Sequence, residues 1–272
     1  MAYPSVDAAY GYKPVGLIGG QVFAGSTRNY PVQYNYGTAL FYGDLVTTAS
    51  GYVQIATYPV STTNTTVGVF LGCYYTNPTT KQRQYAQYYP GNVTAGDITA
   101  IVGDDPDQVF RCAVTAAAGS TTIASATSIL VGQNMAGNTL TGSASTGNGA
   151  GAVVASTSNA SGGGFRVLGL VPDTQVSSSA TYVSGTGTTS LVVSGLTVGQ
   201  IIPIGTDVFN LVNGQLQFTG SSTTAATTVT TTGNTTLTVV ASAATVSGTV
   251  ALVQSPEVLV KLNFGAHRYY VA

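Results

Sequence analysis

One histidine, two cysteines and nine carboxylates make up the reactive repertoire of this 272-residue chain. A cysteine beside a histidine would supply a thiolate nucleophile. Cys73 and Cys112 are remote in sequence from His267, and nothing near any of the three supports that pairing. The simpler reading makes the cysteines small buried apolar residues and the histidine a structural one. Two cysteines also fall short of a disulfide framework. Asp104, Asp105 and Asp107 form the single acidic cluster. Calcium would need about six to eight oxygen ligands, and aspartates gather in turns for geometric reasons alone. Glu257 is the sole glutamate, and no pair of carboxylates suggests itself for glycoside hydrolysis. Neither a Gly-x-Ser-x-Gly elbow nor a phosphate-binding Gly-x-x-x-x-Gly-Lys loop occurs. Residues 16–20 are glycine-rich but lack nucleotide-site spacing and a following helix. No zinc pattern is present. The expectation is a non-enzymatic chain with no catalytic residue, no cofactor and no metal.

The elements that would position such residues read as strands throughout. Short runs rich in Val, Thr and Tyr recur between Gly, Pro, Asn and Asp turns, the pattern of an all-β sandwich or barrel. Strands are expected at 38–42, 52–56, 67–71, 82–89, 98–102, 108–114 and 165–171, with weaker ones near 128–131 and 152–155. The alternation in 82–89 puts Arg83, Tyr85, Gln87 and Tyr89 on one face. No window carries helical periodicity. Residues 176–254 differ in kind: Asp207 is their one charge, and Tyr182, Phe209 and Phe218 are their aromatics. Asn213-Gly214 between two alternating runs is a strong hairpin signal. The chain therefore divides into an extended N-terminal arm (1–37), a β body (38–173), an inserted Thr/Ser/Val-rich β domain (174–254) and C-terminal strands returning to the body (255–272).

Within residues 1–37, proline and glycine interrupt regular structure, and Tyr3, Tyr10, Tyr12, Tyr30, Tyr34 and Tyr36 recur. Tyrosine offers a large contact area with a polar tip and is enriched at interfaces. The segment either lies across a partner or folds back on its own domain. Charged residues are 6% of the chain, against about 25% in ordinary domains. The net charge of −1 offers no footprint for nucleic acid or acidic lipid. No basic, apolar leader opens the chain and no run approaches a membrane span. A surface this poor in charge suits a subunit packed against neighbours.

Several segments resemble virion structural proteins of tailed bacteriophages, notably of marine phages and cyanophages. They are Met1-Ala2-Tyr3-Pro4-Ser5-Val6-Asp7-Ala8, Tyr10-Gly11-Tyr12-Lys13-Pro14-Val15 and Leu17-Ile18-Gly19-Gly20-Gln21-Val22-Phe23-Ala24-Gly25. Further matches are Tyr42-Gly43-Asp44-Leu45-Val46, Val67-Gly68-Val69-Phe70-Leu71-Gly72-Cys73, Asp104-Asp105-Pro106-Asp107 and Glu257-Val258-Leu259-Val260-Lys261-Leu262-Asn263-Phe264. The resemblance spans roughly residues 1–173 and 255–272; the inserted stretch does not share it. It implies a head decoration or cement role. The partners would be the major capsid protein and further copies of the chain, as a homotrimer or other homo-oligomer. The site would be the capsid exterior, after assembly in the host cytoplasm. A tail, baseplate or fibre component and a carbohydrate-binding adhesive module are the alternatives. A hydrolase is disfavoured by the missing catalytic groups. The major shell protein is disfavoured by the missing spine helix.

Overall fold

The computed structural model describes residues 6–58, 66–138, 140–155, 163–185, 189–240, 246–263 and 266–268. In chain order the first strands are β1 (Lys13–Leu17), β2 (Arg28–Pro31), β3 (Leu45–Ala49), β4 (Tyr52–Ile55), β5 (Gly68–Thr76), β6 (Arg83–Ala86), β7 (Thr99–Gly103) and β8 (Gln108–Thr115). Next come β9 (Asn134–Met135), β10 (Gly137–Asn138), β11 (Ala152–Val154) and β12 (Phe165–Leu170). The inserted region contributes β13 (Val176–Ser184), β14 (Ser190–Ser194), β15 (Ile201–Ile202), β16 (Asp207–Val212), β17 (Gln215–Ser222), β18 (Thr227–Thr228), β19 (Thr235–Thr238) and β20 (Thr249–Gln254). The last strand is β21 (Glu257–Leu262). The helices among the described residues are single 3-10 turns at Ser128–Leu130 and Pro172–Thr174. The fold is all-β.

Strands pair in the order β2-β7-β5-β3-β4, with β6 beside β5. A parallel bridge between Val32 and Val53 draws the two ends of this sheet together, giving a nearly closed barrel. Val46, Val53, Phe70, Cys73, Tyr89 and Val102 are among the residues that fill it. β5 is an unbroken apolar run because both its faces are covered: Phe70 belongs to the barrel core and Val69 to the core behind the wall. The register slips between Phe70 and Gly72, and Gly72 sits at φ +144°. That bulge lets Phe70 and Cys73, three residues apart, face the same core.

A second sheet runs β10-β11-β8-β21-β12-β9, with β1 added to β8. Its core joins Tyr12, Phe110, Cys112, Phe165, Val258 and Val260 to Leu45 and Val69 of the barrel wall. The barrel and this sheet thus share one apolar layer. The strands of residues 176–254 pair with one another in the order β17-β16-β20-β13-β14-β19. A bridge from Thr223 to Val239 closes the circle. Val176 pairs with Gln254, so the chain enters and leaves this second, inserted barrel at one place.

Residues 6–37 are not a detached arm. β1 is a strand of the second sheet, β2 is a strand of the barrel, and Tyr12 is wholly buried. Proline and glycine block a long regular element there, yet strands of four and five residues fit between them. Three smaller expectations also change. Residues 38–42 hold isolated bridges at Leu40 and Tyr42 in place of a strand. Residues 128–130 form a 3-10 turn in place of a strand. β6 ends at Ala86, so exposed Tyr85 and fully buried Tyr89 do not share a face.

Candidate interaction surface

The tyrosines of the first segment mostly face inward. Tyr3 lies outside the described residues. The Tyr10 hydroxyl donates to Glu257 Oε1. Tyr12 stacks on Phe165 at 4.7 Å between ring centres, and its hydroxyl donates to the Ala152 carbonyl. The Tyr30 hydroxyl donates to Asp104 Oδ2 at 2.7 Å. Tyr36 stacks against Tyr89, and its hydroxyl accepts the Ile55 N–H at 3.1 Å. Of those described, Tyr34 alone is strongly exposed, at 61%. Most of the segment's described tyrosines therefore pack within this chain, and Tyr34 is the one that stays outside.

Sequence reasoning missed where the exposed aromatics fall. Tyr52 and Tyr85 are exposed on β4 and β6 of the barrel. The Arg83 guanidinium lies 4.2 Å from the Tyr74 ring centre and 5.7 Å from that of Tyr85. This aromatic–cation cluster sits on an edge strand, since β6 pairs with β5 alone among the named strands. The alternation of 82–89 pointed to that face, but no sequence signal said which tyrosines would stay outside. Beside β4, Gln33, Tyr36, Tyr52 and Gln54 line a cleft of about 240 Å³. Exposed Val15, Ile18 and Val22 mark the turn after β1, and exposed Leu211, Val212 and Leu216 mark the tip of the β16–β17 hairpin.

The groups with reactive chemistry are dispersed. Asp104 Oδ2 faces Arg28 at 3.2 Å as well as Tyr30. Asp105 accepts the Asp107 N–H at 2.9 Å within its turn. Asp107 Oδ1 lies 3.7 Å from Lys261 Nζ. The three carboxylates thus address three different partners. Cys73 and Cys112 are buried and free in separate cores, and burial pushes the Cys73 thiol up to about 12. His267 is buried against Thr66 and the Asp104 turn. Burial lowers its pKa, with Asp104 opposing the shift.

Glu257 is a structural hub. Arg111 Nε donates to its Oε2 at 2.9 Å, and Arg111 Nη2 forms an ion pair with the same oxygen. Burial opposes its ionisation, but Arg111, Tyr10 and Thr174 together hold its carboxyl below the ordinary range. These partners come from the first segment, from β8 and from the start of the insertion.

Between the second sheet and the inserted barrel lies a cavity of about 540 Å³. Ala116, Leu130, Ala155, Ile204 and Val240 are among the apolar residues that line it, with Ser125 and Thr223 as polar points. No protein-family model, curated protein or solved structure matches this chain.

Proposed function

We infer that this chain is a non-enzymatic structural protein of a tailed-bacteriophage particle, a decoration or cement subunit on the capsid exterior. Its partners on this reading are the major capsid protein of the same virion and further copies of itself, as a homotrimer or other homo-oligomer, assembled in the host cytoplasm. The reading draws on the resemblance of residues 1–173 and 255–272 to such proteins. The observation that carries it is how the chain uses its few charges. Arg28, Asp104, Asp107, Arg111, Glu257 and Lys261 pair with one another. Much of the outer surface is left to tyrosine, aliphatic and hydroxyl side chains. Apolar side chains are exposed at several separate places, among them β1 and the turn after it, the aromatic cluster on the barrel, and the tip of the inserted hairpin. Several separate contact points suit a subunit that bridges neighbours, where each bridge adds area that must be uncovered before a shell opens.

Imaging an intact particle tests this directly. Copies of the chain should follow the shell lattice. Placement at the tail or baseplate would give the protein another role in the virion, and absence from the particle would end the proposal. The cleft beside Tyr36 and Tyr52 supports one second reading, a carbohydrate-binding adhesive module, because aromatic rings with amide neighbours can stack and hydrogen-bond sugar rings. Glycan binding that is lost in Tyr52→Ala would favour it.

A further inference from the structure

Lys13, Asp44 and Asn148 converge where the barrel meets the second sheet. Lys13 Nζ lies 2.8 Å from Asn148 Oδ1 and 3.9 Å from the centre of the Tyr42 ring. Gln87 Nε2 donates to the same Asn148 oxygen at 3.2 Å, so two donors polarise that amide. Asp44 is buried, and its Oδ2 accepts the Phe41 N–H at 2.9 Å. Its Oδ1 packs against Gly149, where a Cβ would fall only 2.2 Å from that oxygen. Glycine at 149 is what lets the carboxyl pack against this loop, one residue along from Asn148. Burial lowers the Lys13 ammonium to about 8, with Asp44 opposing the shift. Burial likewise raises the Asp44 carboxyl to about 6, opposed by the Phe41 N–H and Lys13. Both shifts move the groups toward the neutral amine and the neutral acid, the forms that the attack needs. Arg111, the cross-strand partner of Lys13, is held by Glu257.

We propose that Lys13 and Asn148 join in an intramolecular isopeptide bond, with Asp44 carrying the proton between them. The neutral Lys13 nitrogen attacks Asn148 Cγ, and the developing oxyanion at Oδ1 is held by the Gln87 N–H. Through a bridging water, Asp44 delivers its proton to Asn148 Nδ2 and takes one from Nζ. The Cγ–Nδ2 bond breaks, ammonia leaves, the Nζ–Cγ amide remains, and Asp44 returns to its starting state. The exchange needs no oxidant, reductant or cofactor.

A competing route is closed by the backbone. Asn-Gly sequences lose ammonia when the glycine nitrogen attacks the asparagine side chain. Here the Gly149 N–H donates to the Tyr42 carbonyl at 2.8 Å, and the Tyr42 N–H donates to the Gly147 carbonyl at 3.0 Å. The loop is clamped on both sides of Asn148. The link would close a covalent loop from residue 13 to residue 148 that contains every strand of the first barrel. It would constrain the unfolded chain as a disulfide does, in a protein whose two cysteines lie in separate cores.

The test is intact mass spectrometry and peptide mapping of the folded full-length chain. The wild type should be lighter than its sequence by one ammonia and should yield a branched peptide joining Lys13 to Asn148. Lys13→Arg keeps a cation over Tyr42 and should restore the full mass, as should Asn148→Ala. Asp44→Asn should also stay unlinked, and a linked Asp44→Asn would overturn its role. Circular dichroism establishes that each variant is folded. Full mass in the folded wild type would overturn the proposal. So would an ammonia loss that persists in Lys13→Arg, which marks a cyclised Asn-Gly instead.

Discussion

The barrel around Phe70 and the inserted barrel of residues 176–254 enclose cores of different composition. The first contains Phe70, Tyr75 and Tyr89, while the buried core of the second is made of Ala, Val, Leu and Ile. Buried tyrosines bring polar tips that need partners. The Tyr89 hydroxyl accordingly donates to the Tyr36 carbonyl at 2.8 Å. The insertion satisfies its backbone by another route. Thr206 and Thr223 donate to the Pro203 carbonyl at 2.8 and 2.7 Å, Thr219 to Val208 at 2.8 Å, and Ser221 to Val240 at 2.8 Å. A domain with a single charge can therefore pin its loops with short hydroxyl-to-carbonyl bonds, and the Thr/Ser richness of 176–254 acquires a structural reason. That one charge, Asp207, is spent at the junction: its Oδ2 accepts the Ser128 N–H of the body at 2.6 Å.

If the two regions are stabilised independently, single substitutions should separate them. The largest effect is expected from Glu257→Ala. It leaves the part-exposed Arg111 guanidinium and the Tyr10 hydroxyl without their carboxylate, a loss of about 3 kcal/mol for two charge-assisted hydrogen bonds. Hydrogen exchange should then speed up at β8 and β21 while β13 and β20 keep more of their protection. Equal acceleration in both regions would make them one cooperative unit. Leu237→Ala is the mirror experiment. Leu237 is fully buried in the inserted core, so about 3 kcal/mol should be lost to the cavity, with faster exchange confined to β13–β20.

The comparison also shows what a sequence can announce. The all-β class followed from strand-length runs of β-branched residues and from the absence of helical period. The inserted region was legible because its composition changes abruptly at both ends. The Asn213-Gly214 turn was legible because two-residue hairpins demand positive φ, and both residues have it. The fate of the tyrosines was not. Tyr12 and Tyr34 belong to the same Pro/Gly-broken stretch, and only the pairing of β1 with the distant β8 decides that one is buried and the other exposed. Likewise the contact of Lys13 with Asn148 depends on a loop more than a hundred positions along the chain. Local pattern contains no information about such a contact.

The junction between the regions gives the next prediction. Asp207 is almost wholly buried, its Oδ1 has no hydrogen-bond partner among the described residues, and burial raises its pKa to about 6, with Ser128 opposing the shift. A carboxyl whose pKa is higher in the folded state binds more protons there. Its contribution favours folding at low pH and is lost as pH rises from about 4 through 6. Glu257 has the opposite sign: its depressed pKa stabilises the fold above the ordinary carboxylate range and fails in acid. Asp207→Asn should therefore raise stability at pH 7 by about 1–3 kcal/mol and give little gain near pH 4. Denaturant midpoints at the two pH values measure this against the wild type, which cancels the similar background from Asp44. A gain that is independent of pH would mean that shape, and not charge, governs the junction.

The smallest effect on stability should come from the barrel's outer cluster. Arg83 is exposed and held over Tyr74 and Tyr85 by ring contacts. Such contacts are worth about 0.5–1 kcal/mol at exposed sites. Arg83→Ala should thus leave the melting temperature nearly unchanged. If Tyr74 and Tyr85 form part of a contact surface, the same substitution should weaken attachment to particles, because an unsupported Tyr85 loses its fixed orientation. A variant with lowered stability and normal attachment would return the cluster to a purely internal role. The turn after β1 and the tip of the inserted hairpin would then be the remaining contact points.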